Sequence, residues 1–120
     1  MRTASQRLGA AGELAAARFL SENSYEVLDC NWRCQAGELD LVARAGNGQV
    51  VAIEVKTRSS QRFGTGFDAI NAAKYHRLQK LLIFWAQAHR MFMPQLRVDV
   101  VEVYPTAGGF ECQLHQDVRS

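Results

Sequence analysis

Asp40 and Glu54 are two carboxylates set in apolar alternating runs, and Lys56 follows two residues after the second. Leu39–Ala43 and Val50–Lys56 read as strands, and Gly46-Asn47-Gly48 between them makes a hairpin. A loop centred on Asn47 places Asp40 opposite Glu54 and Glu38 opposite Lys56. These four then share one face, while Leu39, Leu41, Ile53 and Val55 point to the other. Directly opposed residues have Cβ atoms roughly 4.5 to 5.5 Å apart. Two carboxylates that close repel by about 4 kcal/mol at an effective dielectric constant of about 20, so a cation, a proton or a strong partner must compensate. Mg²⁺ or Mn²⁺ suits an all-oxygen site of this kind. Lys56 is placed to stabilise developing negative charge or to orient an attacking water. The plain alternative is an ion-pair ladder on a solvated sheet face. Strands this rich in Val, Ile and Leu argue against it, because they suggest a sheet covered on both sides, where an idle charge cluster is costly.

The elements that must hold these groups can be read outward from the hairpin. Thr3 or Ser5 caps a first helix to about Glu22, with Leu8, Ala11, Leu14, Ala15 and Phe19 as its buried stripe and Glu13 beside that stripe. Tyr25–Cys30 reads as a first strand, followed by an irregular Asn31-Trp32-Arg33 and a turn at Gly37. Thr57–Gly66 is a polar loop leaving the site end of the third strand. Asp68 caps a long helical region to about His89, with Ile70, Ala73, Leu78, Leu81, Leu82, Trp85 and Ala86 toward the core and Lys74, Arg77 and Lys80 on the wet flank. Pro94 ends it. Leu96–Tyr104 is a further strand, and Gly108-Gly109 turns into a short last one near Phe110–Leu114. The order αβββαβ, with one added edge strand, makes a mixed β-sheet flanked by helices: an α/β fold.

Composition bounds the function. The 120 residues, 48% hydrophobic, suit a single domain. No run of eighteen apolar residues and no signal-peptide core occur, so a cytoplasmic chain without a membrane span is expected. Cys30, Cys34 and Cys112, an odd set, do not suggest disulfides, and no histidine lies near the first two to complete a zinc site. Net charge is +2, but residues 56–90 hold seven Lys or Arg against the single acid Asp68. A basic lobe after an acidic site is what a phosphodiester substrate needs, with Arg58, Arg62, Lys74 and Arg77 as candidate nucleic-acid contacts. For any single one of them, a solvated helix face is the simpler reading. His76, His89 and His115 read as incidental, Trp85 as core, and Trp32 as core or as a base-stacking surface.

The chain resembles the small bacterial YraN family, through Gly9-x-x-Gly12-Glu13, Asn31-Trp32-Arg33, Gly37-Glu38-Leu39-Asp40, Glu54-Val55-Lys56-Thr57-Arg58, Lys74 and Arg97-Val98-Asp99-Val100-Val101. The likeness covers residues 9 to about 103. Gly-Glu-Leu-Asp followed by Glu-Val-Lys also resembles the PD-(D/E)xK nuclease superfamily, with Leu39 where the superfamily name has proline. The resemblance implies a restriction-endonuclease-like fold, similar to Holliday-junction resolvases, and Mg²⁺-dependent hydrolysis of DNA, on branched or single-stranded structures. Carried over by position, Asp40, Glu54 and Glu13 would hold the metal, Lys56 would be the catalytic lysine, and Lys74 would face the site. Asp99 is expected to support Lys74 or Arg97, and Glu38 to hold Lys56 charged. Relatives with this fold include binding modules, so a non-catalytic nucleic-acid-binding or partner-binding module stands as the second expectation. A homodimer would suit a two-strand cut, and a protein partner could activate the enzyme.

Overall fold

The computed structural model describes residues 1–58, 70–93 and 95–119. Among them lie a helix α1 (Ala4–Glu22), strands β1 (Glu26–Cys34), β2 (Gly37–Arg44) and β3 (Val50–Thr57), a helix α2 (Ala72–Ala88), and strands β4 (Arg97–Thr106) and β5 (Gly109–His115). The strands form one mixed sheet in the order β1-β2-β3-β4-β5, with β3 and β4 parallel and the other neighbours antiparallel. The parallel pair follows from the αβββαβ order, because the α2 crossover returns the chain to run beside β3. This is an α/β architecture compatible with a restriction-endonuclease-like core.

Each face of the sheet is covered. Leu41, Ala43, Val51, Ile53, Val101 and Val103 pack beneath Ala16 and Leu20 of α1. Val42, Val50, Ala52, Val98 and Val100 pack against Leu78, Leu81, Leu82 and Trp85 of α2. Strands buried on both sides explain why β3 and β4 read as nearly continuous apolar runs. Trp32 and Trp85 both belong to the α2 side, Trp85 fully buried and Trp32 partly so.

The helices differ from the sequence reading in phase and ends. Thr3 caps α1 in a capping box with Gln6. Its buried line is Gly12, Ala16 and Leu20, and Leu14 is 74% exposed. An alanine-rich helix is apolar around much of its circumference, so side-chain bulk alone sets its phase poorly. Packing is set instead at Gly12, where a Cβ would come within 2.0 Å of Thr57 Oγ1. Asn71, not Asp68, caps α2, accepting from the Lys74 N–H. Ala73 is exposed rather than in the core. Asp68, Pro94 and most of the Thr57–Gly66 stretch lie outside the described residues.

The hairpin register matches the reading up to its functional end. Leu41 pairs with Ile53, Val42 with Ala52, Ala43 with Val51 and Arg44 with Val50. The side alternation, however, breaks at Asp40: Leu39 joins the α2 cluster while Leu41 joins the α1 cluster, so these two do not share a face. Strand β1 breaks at the same level, because Asn31-Trp32-Arg33 continues the strand instead of leaving it, with Asn31 at a left-handed φ of 52°. Trp32 pairs with Leu39 and Cys30 with Leu41 on either side of the break. The effect is local: Glu38, Asp40 and Leu41 of β2 and Cys30, Asn31 and Arg33 of β1 all line one groove beside α1.

Candidate metal and nucleic-acid site

That groove has a volume of about 1140 Å³, and it opens between the N-terminal half of α1 and the ends of β1, β2 and β3. Its acidic side is formed by Glu13, Glu38 and Asp40, and its lining also includes Arg2, Arg33 and Arg58. Asp40 lies where β2 and β3 cease to pair. Its Oδ2 accepts the Val55 backbone N–H at 2.9 Å, so the carboxylate fills the place a strand partner would take. Burial, a hydrogen bond shared with Glu54 and the Glu54 charge together push the Asp40 carboxyl up to about 8, against which the Val55 N–H acts only partly.

Glu54 is 7% exposed. Its Oε2 is buried, faces Lys74 Nζ as an ion pair and receives no hydrogen bond of good geometry. Lys74 thus turns from the flank of α2 into the site. Glu13 of α1 lines the groove with Asp40, whereas Glu54, Lys56 and Lys74 are not among the lining residues, and Glu54 acts on Glu13 through its charge. Burial, then the charges of Glu38 and Glu54, raise the Glu13 carboxyl above the ordinary range, with Arg2 opposing. The structure therefore brings Asp40 and Glu54 together, with Glu13 within electrostatic reach. Among the described residues, no three His, Cys, Asp or Glu side chains already converge as an ion cage. The donor set still fits Mg²⁺ or Mn²⁺, since Mg²⁺ is commonly held by one or two carboxylates and several waters.

Lys56 lies on β3 in register with Glu102 of β4. Glu38 does not provide its counter-charge, contrary to the expected register: Glu38 pairs with Arg33 at 3.2 Å. Arg58 continues the β3–β4 pairing through its N–H to Val103, and its guanidinium holds Glu102 through Nε at 3.1 Å and Nη2 at 2.7 Å. Tyr104 and His115 complete the shell of Glu102, at 3.0 and 2.8 Å. Burial favours protonation of Glu102, but the bonds from Arg58, His115 and Tyr104 outweigh it and hold its carboxyl below the ordinary range. His115 is thus a buried-carboxylate partner rather than incidental. His89 likewise stacks on Trp85 and faces Asp29.

Asp99, fully buried, binds Arg97 through both oxygens, at 2.8 and 2.9 Å, and accepts from Tyr25 at 2.6 Å. Asp99 thus supports Arg97 and not Lys74, which is paired with Glu54. Arg77 lies exposed on α2, and Arg62 lies outside the described residues. Arg2, Asn31 and Arg33 are site residues that the sequence reading did not select. Asn31 and Arg33 were hidden in an expected loop, and Arg2 had no pattern to mark it.

Fold and site together define a mixed-sheet α/β protein with an acidic cluster where two central strands part. The model of the uncharacterised protein family UPF0102 matches residues 12–103, a span that includes Glu13, Asp40, Glu54, Lys56 and Lys74. A UPF0102 protein of Renibacterium salmoninarum is 47% identical over 96 residues, covering 80% of each chain. One from Symbiobacterium thermophilum is 43% identical over 114 residues, covering 94% of this chain and 96% of that one. Another, from Paenarthrobacter aurescens, is 47% identical over 96 residues, covering 80% of this chain and 78% of that one. The chain belongs to the UPF0102 family, the YraN group to which its motifs pointed. No described helix is long and apolar enough to cross a membrane.

Proposed function

We propose that the protein is a divalent-metal-dependent nuclease of the PD-(D/E)xK type that hydrolyses DNA phosphodiester bonds, on branched or single-stranded structures. The observation that carries this reading is the Asp40–Glu54 pair. Its two carboxylates come from two strands to one place, where Asp40 accepts the Val55 N–H, Glu54 is buried, and burial together with the Glu54 charge raises the Asp40 carboxyl to about 8. Asp40 and Glu54 would hold Mg²⁺ or Mn²⁺, with Glu13 adding a third oxygen donor from α1. The ion supplies Lewis acidity and a readily deprotonated water. Lys56, from the same strand as Glu54, stabilises the negative charge that develops on the phosphoryl oxygens. Arg2 and Arg33 at the groove attract the phosphate backbone.

A second reading, a nucleic-acid-binding or partner-binding module without turnover, draws support from Lys74. Its ammonium already lies on Glu54 and supplies there the charge that a metal would bring. The deciding experiment is cleavage of labelled linear, single-stranded, flap and four-way DNA in Mg²⁺ or Mn²⁺, wild type against Asp40→Ala. Cleavage by wild type, reduced at least about 100-fold in the variant, is expected of the nuclease. DNA bound but uncut by both proteins rejects turnover by the protein alone and leaves the binding module, or an enzyme that needs an activating partner.

A further inference from the structure

Two observations meet at Asn31. Its backbone, within β1, has φ 52°, a left-handed conformation uncommon for residues other than glycine and more accessible to Asn than to most. Its carboxamide, oriented by the acceptors around it, donates through the nitrogen to Glu13 Oε2 and to Glu38 Oε1, each at 2.9 Å. We infer that Asn31 is a positioning residue that clamps Glu13 of α1 to Glu38 of β2 beside Asp40, keeping the acidic side of the groove in shape without neutralising it.

The chemistry of the side chain fits this task. An amide nitrogen carries two hydrogens and can serve two carboxylates at once, with charge-assisted bonds to each. A lysine or arginine there would also hold the acids, but its charge would cancel theirs and compete with an arriving cation. Asn31 links α1 to the sheet at the level where both β1 and β2 break their alternation, so its left-handed backbone and its two hydrogen bonds are one feature. Arg33 then fixes Glu38 from its outer side, at 3.2 Å. The purpose of the clamp rests on the metal-site reading above, while its geometry does not.

Glycine separates clamp from backbone, because it adopts the left-handed conformation more readily than asparagine but has no amide to donate. Titration calorimetry with Mn²⁺ alone should show Asn31→Gly binding at least about tenfold more weakly than wild type, with a melting temperature unchanged or higher. Mn²⁺ affinity unchanged in Asn31→Gly would overturn the positioning role. In metal-free protein, the Asn31 side-chain amide resonances should shift in both Glu13→Ala and Glu38→Ala. Resonances unmoved in both variants would overturn the clamp itself. Were wild type to bind no Mn²⁺, the metal reading would fail, and the amide shifts alone would still decide whether the clamp exists.

Discussion

At the scale of single residues, the buried carboxylates of this protein pull its stability in opposite directions with pH. Asp40 has a folded-state pKa raised from 3.8 to about 8, so the folded protein keeps a proton that the unfolded chain has released. Its contribution is complete below the unfolded value and is lost as pH rises through the folded one. Glu102 is the reverse case: its carboxyl is held below the usual 4.5, so the stability it contributes is present above that value and is lost in acid. Metal-free protein should therefore melt lower at pH 9 than at pH 5, by about 5 °C or more. Asp40→Asn should flatten that decline, because the amide oxygen can still accept from the Val55 N–H while no charge develops beside Glu54. Thermal melts across this range decide the matter, and an identical slope in the variant would place the loss elsewhere. The nearness of Asp40 and Glu54 was legible from the sequence because a short glycine-flanked hairpin admits few registers, but the pairing ends at Leu41–Ile53, and Asp40 turns its carboxylate to the Val55 N–H instead of standing opposite Glu54. The roles of Asn31, Arg33 and His115 were not, since each depends on partners from a distant strand or helix.

At the scale of elements, the approach of α1 to β3 is set by the absence of a side chain. Gly12 lies on the buried line of the helix, and a Cβ there would meet Thr57 Oγ1 at 2.0 Å and Thr57 Cγ2 at 2.8 Å. In an exposed helix interior, glycine to alanine stabilises by about 1 kcal/mol. Here the sign should reverse: Gly12→Ala should destabilise by about 1–3 kcal/mol, as overpacking does, and should displace Glu13, the next residue, from the acidic groove. Thr57→Ala removes both of the closest atoms, so the double variant should recover most of the stability in a denaturant-unfolding cycle. Simple additivity of the two changes would show that this approach does not set the helix position. The sequence made α1 legible as a helix and misleading in phase: Leu14 looked like core by hydrophobicity, yet close approach at a small residue turned it to solvent. For α2, by contrast, the large apolar residues Leu78, Leu81, Leu82 and Trp85 outweighed any such effect, and its core face was legible directly.

At the scale of the whole molecule, the sheet carries one buried charge network at the start of β4 and a second at its middle, around Glu102, whose partner Arg58 also lines the acidic groove. Arg97 and Asp99 tie the start of β4 to Tyr25 and, through the Asp117 N–H to Asp99 at 2.8 Å, to the segment after β5. Arg2, Arg33 and Arg58 all line the groove, Arg58 with its guanidinium on Glu102 and Arg33 on Glu38, while Lys74 is paired with Glu54. Arg33 pairs with Glu38 while 77% exposed, so its ion pair contributes little to stability and its charge remains accessible. Replacing Arg2 and Arg33 by Gln should leave the melting temperature within about 2 °C of wild type. Binding of single-stranded DNA should weaken at low salt, and the slope of log affinity against log salt should become shallower by about 0.7 for each phosphate that the variant no longer neutralises. The measurement is a salt titration of fluorescence anisotropy with a labelled oligonucleotide, wild type against the double variant. A slope that does not change would mean that the phosphate backbone does not run through this groove, and that any nucleic acid is held on another face.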